Sequence, residues 1–143
     1  MKSRKGFTLI ELMVVVLIVA ILAAVIVPMM RARIDAAKWS EGRAGIGTIS
    51  TAARAYWAEH QDQAVLVTDA PTLAQLFPTA DDLGGKYFEQ ASYSIVWTQY
   101  NNAGAAYSIT CSATLSTRTN KPTNPATMTL AVAANGTSTW TEG

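Results

Sequence analysis

Between Lys5 and Arg31 the chain carries one charged residue, Glu11, and from Leu12 to Met30 it runs through 19 uncharged, almost wholly apolar residues. A run of that length and composition is that of a membrane-spanning helix. As a helix, Phe7 to Met30 reaches about 36 Å at roughly 1.5 Å per residue, slightly more than the ~30 Å hydrocarbon core. Lys2, Arg4 and Lys5 precede the run. Basic residues stay on the cytoplasmic side, so the expected orientation keeps the N-terminus inside and sends everything after Arg31 outward.

The same residues constrain how such a leader is processed. A secretory signal is cut after its apolar region, at small residues followed by a polar exit. Here Ala20, Ala23 and Ala24 lead into more Val and Met, so that cut fits poorly. Two readings remain: a signal anchor that is never cut, and a cut before the apolar run that leaves the run on the mature chain. Glu11 bears on this choice. A carboxylate at bilayer depth costs about 2.5 to 3.5 kcal/mol, so an acid one turn into an apolar helix calls for a named partner.

Lys5-Gly6-Phe7-Thr8-Leu9-Ile10-Glu11-Leu12-Met13-Val14 resembles the N-terminal signal of type IV prepilins and pseudopilins. The likeness combines a basic leader, Gly before Phe, a Glu at the fifth place after the cut, and a long apolar stretch. The resemblance implies that a prepilin peptidase cleaves between Gly6 and Phe7 and N-methylates Phe7. Residues 1–6 are then a removed leader, 7–30 a transmembrane and filament-core helix, and 31–143 a globular head that includes the outer half of the same helix. It implies an α+β type IV pilin fold, a long N-terminal helix packed on a small antiparallel sheet. Glu11 then acts as a register device, its carboxylate meeting the Phe7 amine of a neighbouring subunit in a staggered bundle. Pro28 removes a backbone donor and clashes with the preceding turn, so the helix is expected to kink or open locally around Ala24 to Pro28.

Beyond Arg31 the sequence stays helical to about His60 and becomes amphipathic, with Ile34, Ala37, Ala44, Ile46, Ile49, Ala53, Tyr56 and Trp57 broadly on one side. His60, the sole histidine, reads as a cap at the negative end of the helix dipole. Asp69 to Pro78 reads as a short capped helix, and Asp81-Asp82-Leu83-Gly84-Gly85 as a turn. Tyr93 to Tyr100 and Ala106 to Thr114 are strand-like, and Thr127 to Val132 pairs with Thr137 to Thr141 through Asn135-Gly136, giving an antiparallel meander. Trp97, Tyr107 and Trp140 belong to the core or a sheet face. Ser112 to Thr127, rich in Ser and Thr with Pro122 and Pro125, reads as an exposed loop.

Removing Lys2, Arg4 and Lys5 from the 11 basic residues leaves 8 against 10 acidic ones, a net of −2, which argues against nucleic acid as a partner. Cys111 is the sole cysteine and reads as a buried thiol. Many pilins close their C-terminal region with a disulfide, and one cysteine cannot form it. Outside the stalk there is no paired carboxylate site, phosphate loop, nucleophile elbow or cluster of metal ligands. The expected function is therefore structural, with no enzymatic activity, cofactor or metal. The leading reading is the major pilin of a type IV pilus, involved in adhesion or motility; the alternatives are a type II secretion pseudopilin and a minor or competence pilin. Its partners would be further copies of itself in a helical filament, the prepilin peptidase, the inner-membrane assembly machinery, and lipid before assembly. It would sit in the inner membrane as a single-pass protein, then in an extracellular pilus or periplasmic pseudopilus.

Overall fold

A computed structural model describes residues 6–62, 66–79 and 81–143, so the basic leader residues Lys2, Arg4 and Lys5 lie outside the described residues. The chain divides into two compact units, one running through Ile34 and one from Asp35 to Gly143. Helix α1, Leu9–His60, contributes to both.

In the first unit the helix is continuous, and its large apolar side chains are all exposed, from Leu9 to Ile34. It is long and apolar enough to cross a membrane.

The second unit pairs the outer half of α1 with a four-stranded antiparallel sheet, β1 (Tyr93–Asn101), β2 (Gly104–Ser112), β3 (Thr127–Val132) and β4 (Ser138–Glu142), in that spatial order. The expected α+β architecture is present. Trp39, Gly42, Ile46, Ile49, Ser50 and Ala53 are buried at helical spacing on α1. They face Tyr107, Ile109 and Cys111 of β2 and Met128, Leu130 and Val132 of β3, each trio spaced by two so that all point to one side. Each fully buried aliphatic side chain there stabilises the fold by roughly 1.5–3 kcal/mol. Phe88 closes the near end, its ring 4.9 Å from Trp39 and 6.3 Å from Tyr93.

Strand β1 changes face midway. Tyr93, Ile95 and Trp97 follow the period of two, but the register slips between Trp97 and Gln99, and the extra residue turns Tyr100 inward, where it is buried. The β1–β2 and β3–β4 hairpins form where Asn101–Gly104 and Asn135-Gly136 lead one to expect them. Gly136 has φ +84°, and the Asn135 side chain accepts hydrogen bonds from Thr137 N (3.0 Å) and Oγ1 (2.7 Å). That geometry makes Asn135-Gly136 a turn.

Three expectations need correction. Ile34, Ala37 and Ala44 are exposed, whereas Trp39 is 1% exposed and anchors the helix. Helix α2 spans only Leu73–Leu76; Gln75 reaches back to the Thr72 amide (2.8 Å), while Val67–Asp69 forms a separate 3-10 turn. The segment between β2 and β3 is not a free loop, since Ala113, Ser116 and Pro122 are buried within it.

Candidate functional site

Gly6, Phe7 and Thr8 precede the first helical residue, Leu9, and all three are exposed. The peptide between Gly6 and Phe7 thus lies in non-helical, uncovered backbone. A Cβ added at Gly6 would meet nothing within 4 Å, so the chain's own packing does not demand glycine there. Phe7 is 85% exposed.

One turn on, Glu11 is already engaged. Its Oε2 accepts hydrogen bonds from Thr8 N (2.9 Å) and Thr8 Oγ1 (2.8 Å), and Thr8 Oγ1 accepts from Glu11 N (3.3 Å). This reciprocal arrangement is a capping box, Thr-x-x-Glu, which satisfies donors that the first helical turn leaves without partners. In the uncut chain Phe7 N is a peptide nitrogen, and Thr8 rather than Phe7 holds the carboxylate. The Thr8-x-x-Glu11 spacing was readable in the sequence, although Glu11 first draws attention as an acid in an apolar run. Pro28 lies inside α1, which continues as α-helix on both sides of it.

In the second unit the polar residues of α1 hold the segments that flank the sheet. Asp35 is buried, and its Oδ2 accepts from Thr123 Oγ1 (2.7 Å), Thr123 N (3.0 Å) and Asn124 N (3.2 Å), with Lys38 Nζ 3.5 Å from Oδ1. The Thr123 hydroxyl, ahead of the two amides and against the opposing effect of burial, holds this carboxyl below the usual range. Glu41 accepts from three successive amides, Lys86 N (3.1 Å), Tyr87 N (2.8 Å) and Phe88 N (2.9 Å). Trp39 Nε1 donates to Pro125 O at 3.1 Å, and Glu89 accepts from Thr117 N at 2.8 Å, a bond that lowers the Glu89 carboxyl. These contacts explain why the Ser- and Thr-rich segment is anchored. Its partners on α1 lie more than eighty residues away along the chain and Glu89 lies 28 away, beyond the reach of any local pattern.

His60 Nδ1 meets Tyr56 O at 2.9 Å, and its ring stacks on that of Tyr56 at 4.1 Å, in the last turn of α1. Asp81 and Asp82 form a turn in which Asp82 Oδ2 accepts from Thr79 N (3.0 Å). Among the described residues no three His, Cys, Asp or Glu side chains converge as a metal site would require. Cys111 is fully buried, and burial pushes its thiol up to about 12 even though it shares a hydrogen bond with the Tyr93 hydroxyl.

Residues 1–27 match the prokaryotic N-terminal methylation motif, the signal of type IV pilins and pseudopilins, as the likeness of Lys5 to Val14 implied. The chain is also similar to the type II secretion system core protein G of Pseudomonas aeruginosa, with 46% identity over 55 residues. That alignment spans 38% of this chain and 39% of the relative, so the likeness covers about two fifths of each.

Proposed function

We propose that this chain, which begins with a type IV methylation signal, is a structural subunit that polymerises into a helical filament through its N-terminal helix. The observation that carries the reading is the conjunction at residues 6–11. An uncovered Gly6–Phe7 peptide stands immediately before a capped helix, apolar through Met30 but for the carboxylate in its early turn. Water added across that peptide leaves the Gly6 carboxylate on the leader and a new amine on Phe7, which stays cationic after methylation. The cut also removes Lys2, Arg4 and Lys5 and keeps the membrane helix.

Glu11 then changes partners. In the precursor its carboxylate is satisfied by Thr8; after the cut, the Phe7 amine of an adjacent, axially staggered subunit offers a full charge, and the better pairing fixes the register of docking. Pro28, which lacks an amide donor, is the place where the apolar helix opens when the subunit leaves the bilayer. Before assembly the chain sits in the inner membrane with its head outside. The first reading is the major pilin of a surface pilus. A second, the pseudopilin of a type II secretion system, is favoured by the similarity to core protein G.

Mass spectrometry of the membrane form tests the cut. The expected mature mass begins at Phe7 and includes one added methyl; a mass beginning at Met1 refutes the processing. Glu11→Gln should lower the yield of sheared fibres while leaving the membrane pool intact, and wild-type yield would refute the register role. A deletion strain separates the two filaments: loss of surface fibres identifies the pilus, and loss of secretion with surface fibres retained identifies the pseudopilus.

A further inference from the structure

Two features of the head are unexplained by its own folding. The first is a groove of about 350 Å³ between the end of α1 and the β3–β4 turn, lined by Arg54, Trp57, Ala58, Tyr107, Val132 and Ala133. Its walls are apolar, and among the described residues its one charge is Arg54, whose Nε donates to Tyr107 Oη at 3.3 Å. Among the described residues no carboxylate pairs with that guanidinium. The second is the 3-10 turn at Val67–Asp69, which packs along the edge strand β1. There Leu66 is 60% exposed and Val67 43%, and beside them Asp69 Oδ2 accepts from Leu66 N at 3.0 Å, with no ion pair to Asp69 among the described residues.

An apolar hollow with one cation on its wall and an apolar knob with one carboxylate beside it are thus separate patches of one head. We infer that the groove receives the Leu66–Asp69 turn of a second copy of this chain, with Leu66 and Val67 filling the hollow and Asp69 pairing with Arg54. Because donor and acceptor surfaces are different patches of the same molecule, the contact is heterologous, and repeated with a rotation that does not close it builds the open helical array that the filament reading requires. The exposed apolar side chains supply the buried area, and the complementary charges set orientation and exclude a reversed approach. The inference rests on the filament reading and adds which faces of neighbouring heads meet.

A charge swap in the full chain tests it. Arg54→Glu and Asp69→Arg should each lower sheared-fibre yield about tenfold, and the two together should restore it to within about twofold of wild type. Melting of the detergent-solubilised variants checks that each head is folded. Single variants that assemble like wild type, or a double variant no better than the singles, overturn the contact. In a second arm, Leu66→Cys and Ala133→Cys, both at exposed positions, are placed on one chain and intact fibres are treated with a short bis-maleimide. A ladder of linked subunits that neither single cysteine gives is expected, and its absence overturns the contact independently of the charge swap. If the wild-type chain forms no fibres at all, the filament reading itself fails; wild-type fibres indifferent to both arms refute the docking alone.

Discussion

Removing the Asp35 carboxylate should measure how much of the head's stability comes from the bond between helix α1 and the segment ahead of β3. The carboxylate is buried and takes three hydrogen bonds from Thr123 and Asn124, with Lys38 nearby. Hydrogen bonds to a charged group are each worth roughly 1.5–3 kcal/mol. Thr123 and Asn124 are exposed, so water replaces part of what Asp35→Ala removes. A net loss of roughly 2–3 kcal/mol follows, or about 8–12 °C in Tm at ~4 °C per kcal/mol. The sign with pH is fixed by the direction of the shift. The folded carboxyl lies below the usual value, so its contribution is present above the unfolded pKa of about 3.9 and is lost as pH falls through the folded pKa. Denaturant unfolding of the detergent-solubilised chain and its Asp35→Ala variant, from pH 7 down to about pH 2, gives the difference directly. Glu89, also lowered, is common to both and cancels. The stability gap should be widest near neutrality and close in acid. A gap below about 0.5 kcal/mol, or one that stays constant across the range, refutes the assignment.

Two glycines on α1 should respond oppositely to alanine. At Gly47 an added Cβ meets open space, so Gly47→Ala should stabilise by about 1 kcal/mol, whereas at Gly45 it collides with the Tyr93 side chain and should cost about 1–3 kcal/mol; equal effects in thermal melts would refute the packing. Glu41→Ala leaves the amides of residues 86–88 without their acceptor and should destabilise by about 2 kcal/mol, with hydrogen exchange at those amides rising by more than an order of magnitude. Cys111, with its thiol pushed up to about 12, should resist maleimide at pH 8 in the folded chain and react within minutes once the chain is unfolded in denaturant. Rapid labelling of the native head would show that the site is open.

Features whose cause is local were legible in the sequence. The uncharged run from Leu12, the β-rich segments that form β2 and β3, and the Asn135-Gly136 turn each follow from chemistry within about ten residues, although β2, Gly104–Ser112, lies two residues earlier than the expected Ala106 to Thr114. Trp39 and Asp35 were not legible. One joins an aromatic ring on another segment and the other meets a loop 88 residues on, so nothing in their own stretch distinguishes them from the exposed Trp140 or Glu59. The bulge at Thr98 is a similar case, because sequence alternation alone would have turned Tyr100 outward. At the N-terminus the residues of the methylation signal were all recognisable, yet the bond from Glu11 to Thr8 was hidden by the attention its charge attracts in an apolar setting.

With Cys111 as the sole cysteine, the second unit is closed instead by carboxylates that grip backbone amides, Asp35, Glu41 and Glu89 among them. Such a head needs no oxidant to reach its final form and no isomerase to correct a wrong pairing, because every one of these bonds is made and broken at the pace of folding. Reducing agents leave it whole.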